Sequence, residues 1–510
     1  MADFLRLIVK MWETVMENLW LINVVLSIII VFFQRRDPKA VWTWLLAIYF
    51  IPVFGVIFYL LFGQDFKKSR MFRIKEAEDR LKLPIKTQEA VIRSERRNAE
   101  HGAGMVNDYS GLVLYNLETS GAVLTGGNEV EVYTDGREKF HALREELRKA
   151  TTFIHIQYYI IKNDEVFDSI VPILEEKVRE NVEVRILYDG MGGRFMPKKR
   201  WKQMQAAGIK VGVFFPPFLG WLNMRVNYRN HRKIVVIDGT TAFVGGFNVG
   251  KEYISKDPKF GYWRDTHLKI KGDAAISLQI RFALDWNYAT GENLFKDLRY
   301  FGPEVEKARK RLAGEIDREW QGEFPEDGKV FAQIITSGPD TNAPHIRNNY
   351  LELFHKARHH IYIQTPYFIP DDAILSALKI AAASGVDVRL MIPCKPDHPF
   401  VYWASCSYAG ELLEHGVRCY IYENGFIHSK CVCVDGEVSC CGTANMDIRS
   451  FELNFEVNAT LYDNEVTGKL EAAFLDDLPH CHELTKEEYE KRGMWMRVKE
   501  QTSRLLSPLL

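Results

Sequence analysis

The sequence predicts an α/β protein made of two similar halves that together form one active site, preceded by two transmembrane helices. Three observations lead to this prediction. A strand-like stretch with the same polar residues occurs twice, at 231–248 and at 428–445. Strand-like and helix-like segments alternate around both copies. Two apolar runs without charged residues lie near the N-terminus, at 19–33 and 40–62.

The two apolar runs predict a membrane anchor over residues 1–65. The second run has 23 residues, and at about 1.5 Å per residue it can cross a hydrocarbon core of about 30 Å. The first run spans only if it extends back past Glu17. A cleaved signal peptide is disfavoured for it, because no small-residue cleavage site follows. Basic residues are more numerous after the second run than between the runs, so we expect a multi-pass protein of the cell membrane with a cytoplasmic body.

The rest of the chain divides into three predicted regions. Residues 66–127 are predicted to form a charged helical connector, since their first part is rich in Lys, Arg and Glu. The first α/β half is placed at 128–325 and the second half at 326–510. Gly, Pro and acidic residues gather at 322–328, which favours a boundary there.

The internal repeat extends well beyond the two opening stretches. Residues 154–160 match 361–367 in pattern, and residues 182–187 match 386–391. Helix-like runs at 165–180 and 371–384 separate these strands. This order predicts mostly parallel central sheets with helices on their faces.

Each repeated stretch carries Lys two positions after His, Asp seven after and Asn seventeen after. The residues are His231, Lys233, Asp238 and Asn248 in the first copy, and His428, Lys430, Asp435 and Asn445 in the second. Positions i and i+2 of a strand share a face, so His and Lys should point the same way. A buried strand has little reason to begin like this unless an anion lies there. A single such His is usually structural, but two matched copies favour catalysis.

The spacing His-x-Lys-x4-Asp-x6-Gly-[Gly/Thr]-x-Asn resembles the phospholipase D superfamily in both copies. Further stretches, at 228–233, 397–403, 422–428 and 442–451, are similar to bacterial cardiolipin synthases. This resemblance implies two phospholipase D-like α/β sandwich halves. It also implies phosphatidyl transfer between two phosphatidylglycerol molecules, which gives cardiolipin and glycerol through a phosphohistidine intermediate. The alternatives are a phospholipase D hydrolase and a phosphatidyltransferase with another alcohol acceptor.

The resemblance also implies a role for each residue of the site. His231 would be the nucleophile, and His428 would protonate the leaving glycerol, although the reverse assignment stays open. Asp265 and Glu456 match the acids that orient the two imidazoles. Imidazole titrates near neutral pH, and the two lysines with Asn248 and Asn445 can hold phosphoryl oxygens. Asp238 and Asp435 belong to the motif, but they lie where strand meets turn, so we expect a structural role.

Composition adds further expectations. No carboxylate cluster indicates a metal site, so neither metal nor cofactor is expected. The formal net charge of −1 argues against a nucleic-acid partner; the expected partners are phosphatidylglycerol and membrane lipid, and no oligomeric state is predicted. All eight cysteines lie between Cys394 and Cys481 without the spacing of a secreted disulfide framework, so we expect reduced thiols.

Two further segments allow two interpretations each. The first half has about ten extra residues before His231, within 216–224, because the matching Gln residues are 207 positions apart and the matching His residues only 197. This apolar loop is either an ordinary packed loop or a lip that enters the bilayer. The tail, 486–510, mixes basic and apolar residues. It could lie on a membrane surface or pack on the body, and we favour packing.

Overall fold

The protein is described from a computed structural model. The described residues are 17–33, 38–51, 53–56, 108–216, 228–301, 330–341 and 343–507, with Lys10, Glu13 and Tyr59. Three predicted features lie wholly or mostly outside them: residues 66–107 of the connector, the boundary at 322–328, and the apolar loop from residue 217 onward.

The N-terminal segment contains two helices. Helix α1 (Leu19–Ile28) continues as a π-helical turn over Ile29–Phe33, and helix α2 covers Pro38–Phe50. A small core joins them, formed by Ile30, Trp44, Ile48 and Tyr59. Within the described residues, none of the helices combines the length and hydropathy that a membrane crossing requires. Among the described residues, the two predicted spans are helical over 19–33, 38–50 and 53–56.

The body begins with helix α3 (Ser110–Ser120), whose Leu112, Val113 and Leu117 are fully buried in a hydrophobic core. Folded structure therefore starts ahead of residue 128. The elements of the first half are β1 (Leu124–Asp135), α4 (Gly136–Lys149), β2 (Phe153–Tyr158), α5 (Glu165–Asp168), α6 (Val171–Arg179), β3 (Glu183–Asp189), α7 (Lys198–Ala206), β4 (Lys210–Phe214), β5 (Arg229–Asn230), β6 (Ile234–Ile237), β7 (Thr241–Gly245), β8 (Trp263–Lys271) and α8 (Asp273–Thr290).

The second half repeats the main strands of this order, inserts β11, β17 and α12, and adds a C-terminal extension. Its elements are β9 (Val330–Ser337), α9 (His345–Lys356), β10 (His360–Gln364), β11 (Phe368–Ile369), α10 (Asp372–Ala383), β12 (Asp387–Pro393), α11 (Pro399–Leu413), β13 (Arg418–Tyr422), β14 (Phe426–Ile427), β15 (Cys431–Val434), β16 (Val438–Gly442), β17 (Met446–Asp447), α12 (Ile448–Glu452), β18 (Asn454–Tyr462), α13 (Asn464–Asp477), β19 (Cys481–Leu484), α14 (Lys486–Lys491) and α15 (Met494–Leu505).

Each half contains one mixed sheet. The strand order is β1-β8-β7-β6-β2-β3-β4 in the first half and β9-β18-β16-β15-β10-β12-β13-β19 in the second. Within these two described strand orders, the neighbours in β2-β3-β4 and β10-β12-β13 are parallel and the other neighbours are antiparallel. The prediction of mostly parallel sheets is therefore wrong, because each motif strand returns through a tight turn and forms an antiparallel hairpin.

The turns that close these hairpins depend on Asp-Gly pairs. Asp238 and Asp435 have φ angles of 53° and 55°, and the glycines that follow have φ angles of 71° and 70°. Asp tolerates this left-handed region better than most residues, and Gly adopts it without steric cost. Both sequence copies therefore fold into the same hairpin.

Two strand pairings connect the halves and position the site. The short strand before His231, β5, pairs with the start of β18 in the second half. The equivalent strand before His428, β14, pairs with the start of β8 in the first half. Strand β1 also joins the two sheets, since it pairs with both β8 and β9. Each motif histidine therefore enters the site beside a strand of the opposite half.

The cysteines differ from the expectation of reduced thiols at one place. Cys431 and Cys441 lie directly opposite each other on the antiparallel strands β15 and β16, with Cα atoms 4.4 Å apart, and they form a disulfide. Direct cross-strand pairing brings the two side chains together, which spacing along the chain did not indicate. The other six cysteines are free.

Candidate active site

His231 is held by the second half of the molecule. Its backbone N–H donates to the carbonyl oxygen of Phe455 at 2.9 Å, which follows from the pairing of β5 with β18. Its Nδ1 lies 2.9 Å and 3.1 Å from the two carboxylate oxygens of Glu456. The ring of Tyr159 packs edge-on against the imidazole, with centroids 5.1 Å apart. Nδ1 is thus committed to Glu456, and Nε2 is left to react.

His428 repeats this arrangement with the halves exchanged. Its backbone N–H donates to the carbonyl oxygen of Arg264 at 2.7 Å. Its Nδ1 lies 2.7 Å from Oδ2 of Asp265, and the ring of Trp263 lies 5.2 Å away between centroids. The sequence placed Asp265 and Glu456 as orienting acids without saying which histidine each one meets. The structure pairs them crosswise, so each histidine takes its acid from the opposite half.

The motif lysines lie just before the regular strands, not within them, because β6 begins at Ile234 and β15 at Cys431. Each lysine still lies on the side of its histidine. Lys233 Nζ donates to the carbonyl oxygen of His231 at 2.6 Å, and Lys430 Nζ donates to that of His428 at 2.5 Å. Lys430 Nζ also lies 3.0 Å from Nδ1 of His428.

The two acids are buried and held by further donors. Glu456 accepts a hydrogen bond from the Thr443 hydroxyl at 2.6 Å and one from the Asn454 amide at 3.2 Å. Asp265 accepts the backbone N–H of Thr266 at 2.8 Å. These donors keep each carboxylate in place and ionised against the cost of burial.

Burial sets the protonation of the site. It lowers the pKa of His231, and it lowers that of His428 to about 4 together with the charge of Lys430. Burial also lowers the pKa of Lys233 to about 7 and that of Lys430 to about 8. Both imidazoles are therefore neutral at pH 7 in the free protein, and both ammonium groups are poised to gain from a bound anion.

The pKa values of the two acids are lowered, whereas burial alone would raise them. Burial raises the pKa of Asp265, but the charges of His428 and Lys430 outweigh it and hold the value below the ordinary range. Glu456 is likewise held below the ordinary range by His231 and Lys233 against the effect of burial.

The two half-sites form one charged cluster. The charge of Lys430 acts on His231 and on Lys233, and the charge of Lys233 acts on His428. Each lysine also feels the acid bound to the other histidine. An arrangement of two imidazoles backed by acids, with an ammonium group beside each, can bind a phosphodiester and exchange one of its ester oxygens.

The two motif asparagines occupy unlike surroundings. The amide of Asn248 accepts the N–H of Ile160 at 3.1 Å and donates to the Tyr253 hydroxyl at 3.1 Å. Asn445 is buried, and within the described structure its side-chain oxygen has no hydrogen-bond partner. That these amides hold phosphoryl oxygens stays a prediction.

The motif aspartates point away from the chemistry. Asp238 accepts the backbone N–H groups of Thr151, Thr152 and Phe153 at 2.8–2.9 Å. Asp435 accepts the corresponding N–H groups of residues 358–360 at 2.6–2.8 Å. Both carboxylates thus fasten the start of a central strand to the hairpin turn, which is a structural contact.

Sequence reasoning missed a buried polar network behind His231. Gln157 donates to Asp285 at 2.7 Å, and Arg232 binds the same carboxylate through NH1 at 2.6 Å and 2.7 Å. Behind His428, Gln364 of the second half and Arg264 of the first half donate to Asp477, each at 2.8 Å. The signal was present, because a glutamine recurs at the same position of an otherwise apolar strand in both halves.

Comparison with known proteins agrees with this geometry. A family model described as cardiolipin synthase, PLD-like domain, matches residues 143–259 and 350–478, and a model described as phospholipase D-nuclease N-terminal matches 21–64. The major cardiolipin synthase of Bacillus subtilis (strain 168) is 45% identical over 496 residues, which cover 96% of this chain and 98% of the relative. The cardiolipin synthase of Staphylococcus aureus (strain N315) is 45% identical over 517 residues, which cover both chains fully.

A solved structure shares the fold. The crystal structure of a phosphatidylserine synthase from Haemophilus influenzae Rd KW20 superimposes with a TM-score of 0.57 and 16% identity. The match covers 76% of this chain and 97% of that chain.

Proposed function

Because this chain belongs to the cardiolipin synthase family of the phospholipase D superfamily, we propose that it is a phosphatidyltransferase that joins two phosphatidylglycerol molecules into cardiolipin and releases glycerol. The observation that carries the proposal is the crossed pair of histidine–acid contacts, His231 with Glu456 and His428 with Asp265, within one buried cluster that also holds Lys233 and Lys430. Two such pairs supply a nucleophile and a proton donor for one phosphorus atom.

In the first step, Nε2 of His231 attacks the phosphorus of one phosphatidylglycerol, and the bond from phosphorus to the glycerol headgroup oxygen breaks. His428 gives its proton to the departing oxygen. A phosphate anion beside both imidazoles favours the protonated form of His428, which burial disfavours in the free protein. Lys233 and Lys430 stabilise the charge on the non-bridging oxygens.

In the second step, neutral His428 takes a proton from a hydroxyl of the second phosphatidylglycerol. That oxygen attacks the phosphatidyl-histidine, the phosphorus–nitrogen bond breaks, and His231 is regenerated. Exclusion of water from the buried site favours a lipid hydroxyl over hydrolysis.

The reverse assignment of the histidines has one observation in its favour, since the pKa of about 4 keeps His428 neutral and ready to attack. Trapping the phosphorylated residue by mass spectrometry separates the two. We expect the adduct on His231 to survive in His428→Ala and to be absent in His231→Ala. An adduct on His428 in the His231→Ala variant would establish the reverse order.

The N-terminal segment supports action at a membrane. Two uncharged runs lie at 19–33 and 40–62, and the N-terminal family model matches this region. We propose that both runs span the membrane and hold the body, on the cytoplasmic side, near its lipid substrates.

Product analysis on phosphatidylglycerol vesicles tests the proposed reaction. Cardiolipin and glycerol in equal amounts are expected. Phosphatidic acid as the main product would indicate the alternative hydrolase, and a phosphatidyl product formed only with an added alcohol would indicate a different acceptor.

A further inference from the structure

The C-terminal helix α15 has two unlike faces. One face packs along α11 and buries Glu500 and Ser503, with Glu500 bound to Arg492 at 2.7 Å. The sequence-based expectation that the tail packs on the body is therefore met by this face alone.

The opposite face is apolar and exposed. Met494, Trp495 and Leu505 are 81%, 80% and 73% exposed, and Val498 lies between them, about half exposed. At 100° per residue these four side chains fall within about 100° of the helix circumference, opposite the packed face. We call Met494, Trp495, Val498 and Leu505 the outer stripe.

Basic side chains flank the outer stripe. Arg497 follows one edge of the stripe and Lys499 follows the other, at helical angles of about 300° and 140° from Met494. Arg504 is ion-paired with Glu411 of α11 instead. The one acid of the helix, Glu500, is on the packed face. An apolar stripe with an exposed cation on each side is typical of a helix that lies in the interface of an anionic bilayer.

The packing fixes which end of α15 is near the active site. Lys499 lies over the Trp403 ring at 5.1 Å, Arg504 lies over the Tyr408 ring at 4.4 Å, and the Tyr408 hydroxyl reaches Ser507 at 3.4 Å. Residue numbers rise together in both helices, so α15 and α11 run parallel. The first turn of α15 therefore lies level with the first turn of α11, which carries the exposed Phe400.

The start of α11 borders the active site. Asp397, two residues before the helix, accepts a hydrogen bond from the Tyr367 hydroxyl, and its charge acts on Lys430. The first turn of α15, which carries Trp495, is thus on the same side of the body as Asp397 and the active site.

We propose that the outer stripe of α15, with Phe400, lies in the headgroup region of an anionic phospholipid bilayer and holds the active-site side of the body against that surface. The contact is separate from the N-terminal segment. The proposal depends on the proposed function only in taking this side of the body as the side that admits lipid substrate. Trp495 and Phe400 occupy the interface, and Arg497 and Lys499 meet lipid phosphates.

The first test maps lipid contact on the full-length protein in vesicles of phosphatidylglycerol and phosphatidylcholine. A phosphatidylglycerol with a photoreactive diazirine near its headgroup is incorporated, and adducts are located by mass spectrometry. We expect peptides containing Trp495 or Leu505 to carry at least five times the adducts of peptides containing Leu475, an exposed apolar residue of α13. Equal labelling, or cross-links between two copies of α15 in place of lipid adducts, would overturn the proposal.

The second test compares the double variant Trp495→Ser/Leu505→Ser with the matched variant Leu475→Ser. Loss of two apolar side chains from an interface should lower turnover of phosphatidylglycerol in bilayers about tenfold. Turnover in detergent micelles, where the bilayer surface is absent, should stay within about twofold. Wild-type turnover in bilayers, or an equal loss in micelles, would overturn the proposal. Failure of the proposed reaction is distinguishable, because the adduct map does not depend on turnover.

Discussion

The two half-sites have the same backbone arrangement, but different neighbouring groups set the pKa of each histidine. Burial lowers the pKa of His231, and the largest effect after burial is that of the Glu456 charge, which raises this pKa. Glu456 also holds Nδ1 through both carboxylate oxygens. At His428, after burial, the charge of Lys430, whose Nζ lies 3.0 Å from Nδ1, lowers the pKa, while Asp265 raises it through its charge and its hydrogen bond. Duplication thus gave two histidines with the same geometry and unequal basicity, as a reaction needs when one group attacks and the other carries a proton.

The difference extends to the residues that position the acids. The Thr443 hydroxyl donates to Glu456, whereas the equivalent position of the first half is Gly246. A Cβ on Gly246 would lie 1.8 Å from Oδ1 of Asp265. The first half therefore requires glycine at position 246, whereas the second half uses the Thr443 side chain at the equivalent position.

Neutralising the acids should have the largest effect and should expose the asymmetry. Glu456→Gln leaves His231 without the group that fixes its tautomer, and we expect a loss of about 10³-fold in turnover. Asp265→Asn should cost about tenfold less, because Lys430, whose Nζ lies 3.0 Å from Nδ1 of His428, still contacts that imidazole. Steady-state rates on phosphatidylglycerol vesicles measure both. Equal losses would remove the distinction between the half-sites.

The Gly246 and Thr443 positions provide a second comparison. Gly246→Ala should lower turnover about 100-fold, since the added methyl group displaces Asp265 from His428, and should cost about 1–3 kcal/mol of unfolding free energy. Thr443→Ala removes one donor from Glu456 and should lower turnover about tenfold. Thr443→Ser keeps the hydroxyl and should be near wild type. A fully active Gly246→Ala variant would contradict the close packing of Asp265.

The pKa values of the two motif lysines predict how kcat/KM falls at alkaline pH. The ammonium form binds phosphate, so kcat/KM should be full below pH 7 and fall as pH rises through the pKa values of about 7 for Lys233 and about 8 for Lys430. The limb of kcat should lie higher, because bound phosphate favours the charged forms. Lys233→Arg, which stays charged, should move the limb of kcat/KM upward by about one pH unit. An unchanged limb would show that Lys233 does not titrate there.

The lowered pKa values of Lys233 and Lys430 also affect the free energy of unfolding. Both folded-state values lie below the ordinary lysine value of 10.5. The unfolded chain therefore binds more protons than the folded chain between about pH 7 and 10.5, and these two lysines make the free energy of unfolding rise with pH in that window.

The motif aspartates should give the smallest effect on activity, and an equal one in both halves. Asp238→Asn and Asp435→Asn each weaken the bonds to strand N–H groups and should each cost about 1–3 kcal/mol of unfolding free energy. Turnover of the folded variants should stay within about threefold of wild type. Denaturant unfolding and rates at low temperature check this. A loss of activity without a loss of stability would place these carboxylates in the chemistry.

The sequence alone determined the repeat, the motif residues and the family. Spacing along the chain carries this information, because an apolar strand with a matched His and Lys is visible in one dimension. Gln157 and Gln364 were visible as matching residues, but their partners Asp285 and Asp477 lie more than a hundred positions away and have no local signal.

Only the tertiary structure decided how the halves combine. The crossing of acids and histidines follows from the pairing of β5 with β18 and of β14 with β8, which no spacing encodes. The Cys431–Cys441 disulfide and the antiparallel hairpins likewise follow from strand register. Contacts between distant segments depend on the free energy of packing the whole body, whereas a motif depends only on the order of neighbours.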